Sequence, residues 1–170
     1  MQSEKYSVTQ LSVNNILALI DSKDIAIPEI QRPFVWKRAQ VRDLIDSLYN
    51  GYPTGYLIIW QNPNVRLRDG RDSNGKKILI DGQQRVTALM AAILGQPVIN
   101  AEYKETTIKI AFNPLEQDAE ERFSVQDSSH LKSKKWIPDI SIIFKNDFDI
   151  VEFSQDYCLN NPEIGTMEIW

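Results

Sequence analysis

Asp81-Gly82-Gln83-Gln84-Arg85 gathers a carboxylate, two carboxamides, a guanidinium and a glycine into five consecutive residues. Its neighbours decide what such a set could do. Lys77-Ile78-Leu79-Ile80 before it is short and mostly apolar, as in a buried strand, and Val86, Leu89, Met90, Ile93 and Leu94 after it recur at helical spacing. The five residues therefore fall on a strand-to-helix corner, where backbone N–H groups lacking intrahelical partners can receive an anion. Gly82 admits dihedrals closed to other residues and lets a ligand approach the backbone. Arg85 falls in the first helical turn, where a cation costs a few tenths to about 1 kcal/mol against the helix dipole unless an anion compensates it. A bound phosphate or carboxylate answers this placement; a structural corner with a surface salt bridge is the alternative.

Asp81 has three readings: an N-cap accepting from Gln83 or Gln84 N–H, a carboxylate holding Mg²⁺ against a nucleotide, or a bidentate partner orienting Arg85. Gln83 and Gln84 suit the fixing of a base, a sugar or a water, but neither can act as a general base. The motif lacks the spacer and the Gly-Lys-Ser/Thr ending of a P-loop, and it is not Gly-x-Gly-x-x-Gly. Binding of an anion does not by itself imply hydrolysis.

A second dense segment is Ile27-Pro28-Glu29-Ile30-Gln31-Arg32-Pro33-Phe34-Val35-Trp36. Its prolines fix φ and disfavour helix, giving an extended connection that carries Gln31 and Arg32 and is anchored by burial of Phe34 and Trp36. Arg32 either pairs with Asp43 or Asp46, or joins Arg85 around one anion, where two guanidinium groups suit forked recognition of phosphate. Arg66, Arg68 and Arg71 lie in the polar stretch 61–77, where Asp69 and Asp72 intervene. They read as a solvated loop, with contact to a DNA backbone as the alternative.

The remaining elements must position these residues. Ser12 caps a helix carrying Val13, Ile16, Leu17 and Ile20, and Ile25-Ala26-Ile27 forms a short strand ended by Pro28. A second helix starts near Arg38 with Val41, Leu44, Ile45, Leu48 and Tyr49 on one face, and Gly51 and Pro53 stop it. Tyr56–Trp60, nearly continuous in apolar character, is expected to be central in a sheet. Ile108, Ile110 and Phe112 predict a half-buried strand paired with residues 98–103, and Phe123-Ser124-Val125 a further one. Ile137–Ile140 opens a short helix, and Phe148, Val151, Phe153 and Tyr157 form a weaker helical stripe. The order predicts an α+β domain, a small mixed β-sheet flanked by helices, over residues 1–135. Residues 136–170 read as the start of a helical extension, either truncated or in need of a partner surface.

The 170 residues suffice for one domain with a core, and 42% apolar with 25% charged residues describes an ordinary globular chain. A net charge of −4 argues against whole-surface affinity for nucleic acid but leaves a local anion site open. The single cysteine, Cys158, excludes an intrachain disulfide and a cysteine-based metal cluster. His130, in Asp127-Ser128-Ser129-His130, reads as an exposed loop residue. With no long apolar run and no basic-then-apolar leader, no membrane is expected and a cytoplasmic location fits best.

Three pieces resemble the DUF262 family, the amino-terminal module of GmrSD-type restriction and phage-defence proteins. They are Ile27-Pro28…Ile30-Gln31-Arg32-Pro33-Phe34-Val35-Trp36, Gly51-Tyr52-Pro53…Gly55, and Ile80-Asp81-Gly82-Gln83-Gln84-Arg85-Val86-Thr87-Ala88-Leu89. The resemblance spans about residues 10–145 and implies a fold similar to ParB and sulfiredoxin. It implies a nucleoside-triphosphate-binding or hydrolysing regulator of DNA cleavage, with Mg²⁺ at Asp81 and Asp81, Gln84 and Arg85 as the catalytic set. Gln31, Arg32, Gly82, Gln83, Arg85 and Thr87 would line the nucleotide pocket. The alternatives are a module that binds DNA or senses modified DNA without nucleotide hydrolysis and a non-catalytic scaffold. Relatives continue into a helical region and often a His-containing nuclease domain. Nothing after His130 supplies such a metal site, so DNA cutting is not expected of this chain alone. DNA would be reached through the full-length protein, and oligomerisation stays open.

Overall fold

The computed structural model describes residues 6–27, 33–61, 77–118 and 121–162. Gln31, Arg32, Arg66, Arg68 and Arg71 lie outside them. The chain divides into two compact units, one drawn from Met1–Glu29 and Leu57–Asp81, the other from Ile30–Tyr56 and Gly82–Trp170. The architecture is α+β, with small sheets and flanking helices.

The first unit holds α1 (Val13–Asp21), β1 (Ile25–Ala26), β2 (Ile58–Gln61) and β3 (Lys77–Asp81). Ser12 caps α1 as expected, its hydroxyl accepting from Asn15 N–H at 3.2 Å. The sheet is mixed: β3 runs parallel to β1 and antiparallel to β2, in the order β1-β3-β2. This corrects the placement of residues 56–60 as a central strand. Among the described residues β2 is an edge strand with Ile58 and Trp60 about half exposed, and β3 is the central one. Its expected burial is confined to Leu79, 1% exposed, with Leu17 and Ile25 also buried. Apolar character marks a strand but not its rank in a sheet.

The second unit holds α2 (Arg38–Tyr49), α3 (Gln83–Ile93), β4 (Val98–Ile99), β5 (Glu105–Thr106), β6 (Ile110–Phe112), β7 (Phe123–Val125), α4 (Ser128–Lys132), a 3₁₀ turn at Ile140–Phe144 and α5 (Ile150–Asn160). Its core is built on α3, where Val86, Ala88, Ala91 and Ala92 are fully buried, with Val41 of α2 and Ile110 of β6. The small side chains let α3 approach its neighbours closely. Tyr49, Phe112 and Phe123 form an aromatic cluster with centroids 4.8–5.9 Å apart, and the Arg122 guanidinium lies 5.1 Å from the centre of the Tyr49 ring.

Two strand pairings differ from expectation. Residues 110–112 pair with 123–125, not with 98–103, and β4 pairs with β5. Ile110 and its neighbour Ala111 are both buried, so β6 is covered on both faces and not half-buried. His130 also departs from the exposed-loop reading. It is 7% exposed, in α4, edge-on to Trp136 at 4.4 Å. Its Nδ1 accepts from Asp127 N–H at 3.0 Å while Asp127 Oδ1 accepts from His130 N–H at 3.2 Å, which makes a capping box. Nδ1 also lies 2.8 Å from Oδ1. One nitrogen cannot accept from the amide and carry a proton toward the carboxylate, so the neutral ring serves the box and the protonated ring an ion pair. The polar run Asp127–Ser129 is therefore the cap of a helix whose histidine points inward.

Candidate functional site

The strand-to-helix corner exists as the sequence indicates. β3 ends at Asp81 and α3 starts at Gln83, with Gly82 between them at φ +92°, a conformation that side-chain-bearing residues adopt at a cost of roughly 1–2 kcal/mol. The N-cap is Gly82, so the Asp81 N-cap reading gives way. Asp81 belongs to the first unit, and Gly82 through Arg85 to the second.

Gln84 and Arg85, adjacent in the first turn of α3, reach different segments. Gln84 is buried; its Oε1 accepts from Val35 N–H at 3.0 Å, and its Nε2 lies 3.4 Å from Pro33 O, a long hydrogen bond. The carboxamide thus serves the backbone of residues 33–35 as another strand would. Phe34, between them, is buried and donates its N–H to Ile99 O at 2.8 Å, which ties the same segment to β4.

Arg85 donates through Nη1 to Thr54 O and through Nη2 to Tyr56 O, each at 2.6 Å. Two of the five N–H donors of the guanidinium are thereby given to one turn of chain. The sequence leaves a bound anion and a surface salt bridge open as the compensation of this cation; in the structure two carbonyl dipoles supply part of it. Gly55, between the two acceptors, has φ +89°, and a Cβ on it would stand 2.6 Å from Nη1. In the sequence Gly55 stands out only as part of the Gly51-Tyr52-Pro53…Gly55 match. Its spacing from a downstream arginine carries no local signal.

Residues 33–35 precede α2 and residues 54–56 follow it, so Gln84 and Arg85 hold the two flanks of one helix. Beside Gln84 lies a cleft of about 280 Å³, lined by Gln84 and Thr87 of α3, by Pro33 and Phe34, and by Pro97, Val98, Ile99 and Tyr103 around β4. Thr87 is one helical turn beyond Gln84 and shares its face. Tyr103, like Phe34 and Val98 in the same lining, is not among the candidate residues that the sequence marks. It adopts φ +57° in the turn between β4 and β5, which is rare for a bulky side chain, and the residue is 78% exposed.

Among the described residues no cluster of three or more His, Cys, Asp or Glu side chains could hold a metal ion. A single carboxylate such as Asp81 fits Mg²⁺ only in its usual manner beside phosphates, with water and ligand oxygens completing the shell. No helix among the described residues is long and apolar enough to cross a membrane.

The small mixed sheet of the first unit and, in the second, the glycine-started helix with its two backbone clasps make an α+β architecture. The chain belongs to the family of the GmrSD restriction endonuclease N-terminal domain, whose pattern matches residues 13–163. It is also 32% identical over 120 residues to an uncharacterized protein of Methanocaldococcus jannaschii. That match covers 58% of this chain and 19% of the archaeal protein. No solved structure matches.

Proposed function

We propose that this chain is a nucleotide-binding regulatory module of a DNA restriction or phage-defence protein, with the nucleoside triphosphate held beside the first two turns of α3. The observation that carries the reading is the cleft at Gln84 and Thr87, whose lining segment 33–34 is fixed by Gln84 and by Ile99. A site preorganised in this way loses little on ordering when a ligand enters. Arg32 directly precedes Pro33 of the cleft lining, so the Gln31-Arg32 pair is the nearest source of charge in sequence for the phosphates. Gly82 opens the first turn of α3, whose N–H groups favour negative charge.

In this proposal the residues divide their work. Thr87 hydrogen-bonds the ligand, while Gln84 and Arg85 position the backbone on either flank of α2. Asp81, which directly precedes Gly82 in sequence, would hold a hydrated Mg²⁺, whose charge would offset that of phosphate and support triphosphate hydrolysis. Contact with DNA belongs to the full-length protein, and Arg66, Arg68 and Arg71 are the candidates within this chain.

Calorimetric titration with nucleoside triphosphates, with and without Mg²⁺, tests the binding, and release of inorganic phosphate tests the hydrolysis. Saturable binding that strengthens with Mg²⁺ is expected. Absence of binding at millimolar nucleotide, for this chain and for a longer form of the protein, would overturn the proposal.

A further inference from the structure

We propose that Tyr103 is the stacking platform of a nucleobase subsite in the cleft beside α3, and that it lets this chain distinguish a nucleotide from a bare polyphosphate. The inference rests on the nucleotide reading above and names the part of the ligand that the cleft receives.

Two residues other than glycine have positive φ among the described residues, Lys23 and Tyr103. Lys23 follows the end of α1, where left-handed residues commonly close a helix. Tyr103 sits in the turn between β4 and β5, which Asn100 organises. The Asn100 Oδ1 accepts from Glu102 N–H at 2.9 Å and from Lys104 N–H at 3.0 Å, and its carbonyl accepts from Tyr103 N–H at 2.9 Å. Glycine or asparagine would satisfy this turn with less strain. The residue gains little from burial either, being largely exposed. Neither the turn nor the core accounts for an aromatic at this position.

The cleft does account for it. Tyr103 lines it together with apolar Phe34, Pro33 and Val98 and with polar Gln84 and Thr87. At about 280 Å³ the cleft lies at the small end of ligand sites, which suits a nucleoside better than a whole triphosphate. An exposed aromatic held by a fixed turn beside apolar walls is the arrangement on which bases stack. The Thr87 hydroxyl, able both to donate and to accept, suits a base edge or sugar, while Gln84 keeps the 33–35 wall in place. A nucleobase has both features, a flat apolar face and a polar edge; a polyphosphate has neither.

The test compares the intact chain with Tyr103→Asn and Tyr103→Phe by calorimetric titration with ATP, GTP, tripolyphosphate and a short oligodeoxythymidylate, alongside thermal unfolding. Asparagine tolerates the left-handed backbone, so Tyr103→Asn is expected to keep or raise the melting temperature. It is expected to weaken nucleoside triphosphate binding about tenfold and to leave tripolyphosphate unchanged, whereas Tyr103→Phe stays within about threefold of the intact chain. Nucleotide affinity indifferent to Tyr103→Asn, or an equal loss for tripolyphosphate, would overturn the inference and leave the nucleotide reading standing. Oligonucleotide binding that depends on Tyr103, with no nucleotide binding, would overturn the nucleotide reading and with it the discrimination assigned to Tyr103. Binding of none of these probes would overturn both.

Discussion

Arg85 and Gly55 are fitted to one another: a Cβ on residue 55 would stand 2.6 Å from the Nη1 that donates to Thr54 O, one residue earlier. The guanidinium could swing aside only by giving up that hydrogen bond. Gly55→Ala therefore meets both the left-handed backbone and the displaced arginine, and a loss of more than about 1 kcal/mol is expected in urea unfolding. The steric part vanishes when Arg85 is truncated, so Gly55→Ala should cost less in an Arg85→Ala background than in the intact chain. Equal costs in the two backgrounds would show that the two residues do not interact.

Arg85→Lys is not conservative here. A lysine ammonium can satisfy one carbonyl, but it lacks the planar fork that spans Thr54 O and Tyr56 O. Faster amide exchange or proteolysis across residues 51–57 is expected, with the far side of α3 unchanged.

Removing the Gln84 carboxamide should affect the other flank of α2. Gln84→Ala leaves the part-buried Val35 N–H without its acceptor, at roughly 1–3 kcal/mol. Hydrogen exchange at Val35 should accelerate by more than the global loss of stability explains. If exchange rises only in step with global unfolding, the clasp contributes nothing local.

Thr87→Val and Asp81→Asn separate ligand binding from stability. Thr87→Val nearly preserves shape and should weaken nucleoside triphosphate binding with little change in melting temperature, about 1 kcal/mol for one hydrogen bond. Asp81→Asn should abolish the strengthening of binding by Mg²⁺ while retaining affinity measured without the metal. Unaltered Mg²⁺ dependence would remove Asp81 from the proposed metal site.

The Asp127 carboxyl is held down to about 2 from 3.8, chiefly by the Ser129 hydroxyl and then by the His130 and Ser129 N–H groups. Because the folded value is the lower one, its contribution is complete above 3.8 and is lost as pH falls toward 2. The side chain is exposed, so the effect on global stability is small and the fraying of α4 is the readout. A carboxyl titration followed by NMR should place Asp127 near 2 in the intact chain, with a clear rise in Ser129→Ala.

The corner at Asp81–Arg85 is legible in the sequence because an apolar run, a glycine and a helical repeat are all local signals. The bonds made by Gln84 and Arg85 are not legible. They end on backbone atoms of Pro33, Val35, Thr54 and Tyr56, and a carbonyl or amide has no side-chain signature. The ranking of β2 and the pairing of β6 fail for a related reason: apolar character records that a strand is covered somewhere but not by which neighbour. Asp127–Ser129 misleads in the opposite direction, since cap residues are polar whether or not the helix they begin turns a histidine inward.

The clasps around α2 join residues 29 to 51 positions apart in sequence. Contacts of that separation close long loops and form only when other parts of the chain have already brought their ends together. The pentapeptide can thus be present, and even helical, in a chain that has no cleft. During refolding, protection of Val35 and of residues 54–56 should appear later than protection of α3. Any ligand that needs the assembled cleft would then act as a reporter of completed folding.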